Sequence, residues 1–318
     1  MLVASGLDQC LTCGKTVVNV PRDLFNDIQR RLHKEREQPL SVIGNSVEKA
    51  KIIHRRATVA DALGGGEPGM LPVFWRLPYG EPAWVDVPAG EFEMGGVGQY
   101  DGKPVHCVYL NQFKIGRVPI TNAQYRIFVE AANYKSPEHW NGGTIPRGYE
   151  SHPVVHVTWH AALAYCRWLS ELTGESITLP SEAQWEKAAR GCADQRSYPW
   201  GNEWDVTKCN NNELDIGETT PAGIFLEGAS PYGCLDMSGN VWEWTTTHYD
   251  FKYPYRVQDG REKLEAGGDV VRVLRGGSFF FNLGHGRCAS RHRLNSSYSG
   301  WDLGFRVVSA SILSSSAV

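Results

Sequence analysis

Histidines, cysteines and one run of aromatic side chains are the residues whose types and spacing could do chemistry in this chain. His152, His156 and His160 stand four apart, the interval that gathers metal ligands on one helix face. Pro153 and the run Val154, Val155 and Val157 instead make the stretch a strand leading into a helix. On such a path the three rings do not share a face, and they are expected to be structural. Cys10-Leu11-Thr12-Cys13 has half of a zinc site's spacing, but no second pair stands at the right distance. The third group is Phe279-Phe280-Phe281-Asn282-Leu283-Gly284-His285-Gly286, followed by His292, Leu294, Tyr298 and Trp301. It has no clean strand or helix period. Its three phenylalanines read either as core or, with only Phe279 buried, as part of an exposed aromatic patch among polar neighbours. Such a patch grips a partner and makes no bonds.

The elements that must position these residues are legible in part. Thr121-Asn122-Ala123-Gln124 and Ser181-Glu182-Ala183-Gln184 both have the capping-box form that opens a helix. Another helix is expected over about 159–173, with Ala161, Ala162, Tyr165, Trp168, Leu169 and Leu172 on one face and Gly174 as its left-handed cap. Val85 and Val87 alternate before a Pro88-Ala89-Gly90 turn, Phe92 to Gly95 follows as a strand, and Val105 to Ile115 alternates again. Residues 202–239 show almost no period and must be tied down by side chains or ions. Near the N-terminus, Leu24, Ile28 and Leu32 predict an amphipathic helix over 21–36 whose basic stripe is a solvated face. Gly64-Gly65-Gly66 and the prolines up to Pro82 mark 64–82 as a linker. The organisation expected is therefore a helical or irregular segment and linker at 1–82, one domain at 83–310, and a flexible tail at 311–318.

Composition narrows the function classes. With 318 residues, 42% of them apolar, the chain can bury a substantial core. A net charge of -3 gives no overall attraction to nucleic acid or an anionic membrane. No apolar run approaches the roughly 18 to 20 residues of a membrane span. The first residues lack the charged and apolar regions of a signal peptide, so a cytoplasmic location is expected. Eight scattered cysteines are then expected to be reduced. Eleven tryptophans and 34 glycines favour an irregular α+β class rather than a helical bundle.

A series of ordered blocks carries a resemblance. These are Pro88-Ala89-Gly90-x-Phe92-x-Met94-Gly95, Val118-Pro119-Ile120-Thr121-Asn122, His152-Pro153-Val154-Val155-x-Val157-x-Trp159, Leu179-Pro180-Ser181-Glu182-Ala183-x-Trp185-Glu186 and Tyr198-Pro199-Trp200-Gly201-Asn202. Gly239-Asn240-Val241-Trp242-Glu243-Trp244, Arg272-Val273-Leu274-Arg275-Gly276-Gly277-Ser278 and Gly304-Phe305-Arg306-Val307-Val308 complete the set. Together they resemble the formylglycine-generating enzyme family, the sulfatase-modifying-factor domain, over about 84–308. The resemblance implies a C-type-lectin-like α+β fold with a small twisted antiparallel sheet, two main helices and long irregular loops.

The resemblance also implies sites. Members that oxidise a substrate cysteine hold copper with two cysteines shortly after the RGGS block; here that stretch has no thiol, and Cys288 stands alone. A single soft ligand does not make the two-coordinate thiolate site of copper(I). A branch of sulfoxide synthases uses iron on three histidines, while the first 80 residues here contain only His33 and His54. Neither copper nor iron is expected. The family's calcium, a hard ion favouring oxygen cages, would fall on Asn240, Val241 and Glu243. The alternative is that Asn240 caps a turn while Trp242 and Trp244 fill the core.

A further branch, the variable proteins of diversity-generating retroelements, varies the segment between RGG and GFR. The residues at 279–286, 292 and 294–300 are all reachable from asparagine codons by changing the first two bases. By this likeness the chain is a non-catalytic protein that binds a protein or other macromolecular ligand, but no nucleic acid, through Phe280, Phe281, Asn282, Leu283, His285, His292, Leu294, Ser296, Ser297, Tyr298, Ser299, Trp301 and Asp302. Arg275, Arg291 and Arg306 would pin the loops, and Gly276, Gly277 and Gly304 would allow close backbone approach. The alternatives are a metal-dependent oxidase or pseudoenzyme of the same family, and an accessory module for which residues 1–82 form the adaptor.

Overall fold

Hydroxyl caps start the helices where the sequence places them. In α1 (Asn122–Ala132) the Thr121 oxygen accepts from the Gln124 amide while the Gln124 side chain accepts from the Thr121 amide. Ser181 and Gln184 repeat the arrangement at α3 (Glu182–Arg190). Between them, α2 (Trp159–Thr173) is capped by Thr158 and stopped by Gly174 at φ 73°. Its buried face is Trp159, Ala162, Leu163, Tyr165, Cys166 and Leu169. Leu172, expected on that face, is exposed because the last turn runs past the core.

The computed structural model of the chain describes residues 51, 81–98, 100–265, 269–282 and 284–310. The expected helix at 21–36, the Cys10 and Cys13 pair, the glycine run of the linker, Leu283 and the tail at 311–318 lie outside the described residues.

Short strands build three sheets. One has the order β1 (Trp84–Val87), β4 (Phe113–Gly116), β10 (Val308–Ala310), β5 (Ser176–Thr178), all antiparallel. A hairpin joins β2 (Gly90–Met94) to β3 (His106–Leu110), with Phe92 opposite Val108. The alternation over 105–115 is thus two strands broken at Asn111 and Gln112, which send β3 and β4 to different sheets. The last sheet has the order β8 (His292–Asn295), β7 (Val271–Arg275), β6 (Trp242–His248), β9 (Leu303–Gly304), and β6 and β9 run parallel.

Two apolar clusters hold these layers together. Tyr125, Phe128, Trp159, Tyr165, Trp244 and Phe305 form the centre of one, between α1, α2 and the β6 sheet. Val87, Phe92, Ile115, Trp185 and Met237 form the other, under α3 and the hairpin. Large aromatic faces bury much area where few regular elements exist. The stretch 202–239 has only short 3-10 turns and is fastened by side chains. Asn211 donates to the Val206 and Cys209 carbonyls and accepts from the Glu213 and Leu214 amides, while Asp236 accepts from the Gly223 amide. Among the described residues no helix is long and apolar enough to cross a membrane.

Candidate functional site

Three arginines fix the frame on which the C-terminal loops are mounted. Arg275, at the end of β7, donates to Glu186 on α3 at 2.6 Å and to the carbonyls of Cys288 and Ser290. Arg306 forks onto Glu243 of β6 at 2.6 and 2.7 Å and also donates to the Gly116 and Leu235 carbonyls. Arg291 forks onto Glu182 at 2.6 and 2.9 Å. Arg275, Arg306 and their carboxylate partners are fully buried, and nearby opposite charge raises both guanidinium pKa values against the burial that lowers them. Gly277 turns the chain out of β7 at φ 74°, where a Cβ would lie 3.1 Å from His285 backbone atoms. Gly304 lets the chain pass Val154, whose carbonyl would lie 2.7 Å from a Cβ there.

The side chains on this frame divide sharply. Phe279 is core, whereas Phe280, Tyr298 and Trp301 are 59%, 49% and 45% exposed. Trp301 meets Phe279 and Phe280 edge to face, at 5.1 and 5.2 Å between ring centroids. Phe281 is half-buried against the core and packs on Trp242 at 5.5 Å and on His285 at 4.7 Å. His292, at the start of β8, lies 5.2 Å from Trp242, and Leu294 is half-buried on the same strand. Burial lowers the pKa of both His285 and His292. Asn282 and Ser297 are exposed, and Ser299 and Asp302 half-buried, with Asp302 accepting from the Ser278 hydroxyl at 2.7 Å.

Ser296 departs from the expected surface. It is 1% exposed, its amide donates to the Val270 carbonyl, its carbonyl accepts from the Trp159 amide, and its hydroxyl accepts from the Val270 amide. Its place is inside the fold because it closes the end of the β7 and β8 ladder. One exposed member escaped the sequence: Tyr100, 41% exposed, stacks on His285 at 4.1 Å. Beneath the patch lies the buried Trp242, whose indole nitrogen has no hydrogen-bond partner among the described residues. Tyr100 arrives from a distant loop, which no local pattern signals.

The remaining candidates do not converge. His152 is fully buried, with Nδ1 2.9 Å from the Thr219 hydroxyl. His156 adopts φ 56° and faces His139 at 5.3 Å, while His160 is exposed on α2. Among the described residues no group of three or more His, Cys, Asp and Glu side chains is placed to hold a metal ion. Glu243 accepts three bonds, two from Arg306 and one from the Trp185 indole at 2.8 Å. That leaves one lone pair for a cation, beside a guanidinium that repels it. The Asn240 amide oxygen accepts from the Thr220 amide and from Asn210, and the Asn240 carbonyl from the Phe279 amide. In this arrangement Asn240 and Glu243 do not fit a calcium cage, and the Val241 carbonyl alone does not make one. Cys288 is fully buried, and burial pushes its thiol up to about 12.

A small sheet core with long, side-chain-fastened loops that present one aromatic face defines an α+β domain of the C-type-lectin-like class. The chain belongs to the family of the sulfatase-modifying factor enzyme 1-like domain, whose profile matches residues 76–311. Serine/threonine-protein kinase pkn1 of Chlamydia caviae is 34% identical over 239 residues, which cover 70% of this chain and 37% of the kinase. The chain thus spans little more than a third of that relative. The formylglycine-generating enzyme of Streptomyces coelicolor is 30% identical over 290 residues, 73% of this chain and 90% of the enzyme. Among solved structures, PvdO from Pseudomonas aeruginosa superposes with a TM-score of 0.62 at 28% identity, covering 72% of this chain and 95% of PvdO. Treponema denticola variable protein 1 superposes with a TM-score of 0.58 at 20% identity, covering 71% and 94%, a likeness of fold alone.

Proposed function

We propose that this chain is a non-catalytic ligand-binding protein that displays the 279–302 segment as a variable surface, in the manner of the variable proteins of diversity-generating retroelements. The observation that carries the reading is the contrast within one segment. Phe280, Tyr298 and Trp301 stand about half exposed, while Arg275 and Arg306, which hold the neighbouring backbone, are fully buried. A frame fixed by buried ion pairs can change its outward side chains without losing its shape. Exposed aromatic anchors ringed by polar groups are the features that dominate protein recognition. The expected partner is a protein or other macromolecule.

A binding screen against candidate proteins, followed by alanine at Phe280, His285, Tyr298 and Trp301, tests this. Recognition should vanish while the melting curve stays close to that of the wild type; unaltered binding by all four variants defeats the reading. Diversification has its own test in the neighbouring DNA. A near-copy of the segment coding for 272–308, with adenines at the differing bases, should lie beside a reverse transcriptase gene.

A second reading, a metal-dependent oxidase, is favoured by the formylglycine-generating enzyme relative. Stoichiometric copper or iron in purified protein, with oxygen consumption that Cys288→Ser abolishes, would establish it in place of the first.

A further inference from the structure

Beside the aromatic surface lies a recess of about 530 Å³, and its charges are unbalanced. It shares Tyr100, His292 and Leu294 with the patch and is otherwise walled by Asp101, Gly102, Lys103, Tyr249, Arg291 and Arg293. The acid is already engaged. The Asp101 carboxylate is buried, accepts from the Gly98 amide at 2.8 Å and pairs with Arg287 at 3.2 Å. Arg291 is matched by Glu182. Lys103 and Arg293 are exposed and have no carboxylate partner among the described residues. Asp302 accepts from the Ser278 hydroxyl, and its charge acts on the His292 imidazole. The Arg291 and Arg293 guanidinium carbons lie 5.0 and 4.5 Å from the centroid of the same Tyr249 ring. Arg291 is neutralised by Glu182, so the uncompensated charge over this ring is that of Arg293.

We propose that this recess binds a carboxylate, so that the ligand is an acidic protein segment that sets an aromatic or apolar side chain on Phe280 and Trp301 and an Asp or Glu side chain beside Lys103 and Arg293. The proposal rests on the ligand-binding reading above and gives its partner a chemistry. The Arg293 guanidinium offers a planar fork that matches a carboxylate, while Lys103 adds a point charge at the rim. Tyr249 holds the Arg293 head in place before a ligand arrives, which reduces the ordering cost of binding.

The test uses the immobilised chain and three probes: a random glutamate–tyrosine copolymer, a matched lysine–tyrosine copolymer and polyglutamate. The glutamate–tyrosine copolymer should bind more tightly than the other two and weaken as salt is raised to about 0.5 M. Lys103→Glu with Arg293→Glu should reduce its affinity about tenfold or more, and the milder Lys103→Gln with Arg293→Gln should reduce it less, both at an unchanged melting temperature. Equal binding of the lysine–tyrosine copolymer, indifference to the charge variants, or no binding of the glutamate–tyrosine copolymer overturns the carboxylate recess. Trp301→Ala separates the two levels. If it weakens both tyrosine copolymers while the charge variants change neither, the aromatic surface stands and the recess falls. If the charge variants act and Trp301→Ala does not, the recess stands and the aromatic reading falls.

Discussion

Phe280 and Trp301 meet edge to face with ring centroids 5.2 Å apart, although they come from opposite ends of the C-terminal loop segment. Both remain about half exposed after this contact, so their mutual packing shapes a ridge without burying it. Phe281, next in sequence, turns the other way and packs on Trp242. The three phenylalanines therefore divide into floor, ridge and core.

That division sets the first prediction. Phe281→Ala should cost about 1–3 kcal/mol of stability, because it opens a gap over Trp242. Phe280→Ala should change stability by no more than about 0.5 kcal/mol. Urea unfolding of the two variants checks this, and equal losses would contradict the division.

The Arg306 and Glu243 pair sets the second. Arg306→Met leaves a fully buried carboxylate without its cation and should cost about 3–5 kcal/mol. Adding Glu243→Leu should recover part of that loss, because the stranded Glu243 carboxylate is then gone. Thermal unfolding of the single and double variants reads the difference; a double variant less stable than Arg306→Met would contradict it.

How far the sequence reaches can be judged from such residues. The capping boxes at Thr121 and Ser181 and the glycine stop at Gly174 are local chemistry, readable within a few positions. The loop-fastening role of the three arginines is legible in kind, because a guanidinium beside glycine-rich turns can make charge-assisted bonds to loop carbonyls and carboxylates. Their partners were not readable. Glu243 and Arg306 meet only because β9, which leads into Arg306, runs parallel to β6, a pairing with no local signature. The exposed ridge was visible as a break in periodicity, yet Tyr100 joins it through tertiary folding. Ser296 has the composition of a surface residue and is drawn inside by strand pairing. His139 carried no signal at all, because one histidine beside Trp140 fits no spacing.

His139 sets the third prediction. Both its ring nitrogens are buried without a hydrogen-bond partner among the described residues, and burial together with neighbouring His156 pushes its pKa down to about 4. A histidine lowered on folding binds fewer protons folded than unfolded. Its contribution is therefore fully present above about 6.5 and is lost as pH falls toward 4. Discounted for partial exposure, the loss is on the order of 1–2 kcal/mol. The difference in stability between wild type and His139→Gln, followed from pH 7 to pH 4, should change by that amount. A flat difference would show that the ring titrates normally.

The fourth concerns calcium. Because Arg306 and Trp185 occupy Glu243, adding millimolar calcium to chelator-treated protein should leave the melting temperature within about one degree, as expected for an ion without a site. A saturable rise of several degrees would mean that Glu243 leaves Arg306 for the ion.

The most direct test of the central claim is a library randomised at Phe280, Asn282, His285, His292, Tyr298 and Trp301 with the rest of the chain unchanged. The measurement is the melting temperature of unselected members, together with recovery of binders to proteins that the wild type ignores. Most members should melt close to the wild type and new binders should emerge, because the buried Arg275 and Arg306 pairs hold the loops whatever side chains they carry. General unfolding of the library, or a folded library from which no new binder can be recovered, would contradict the account.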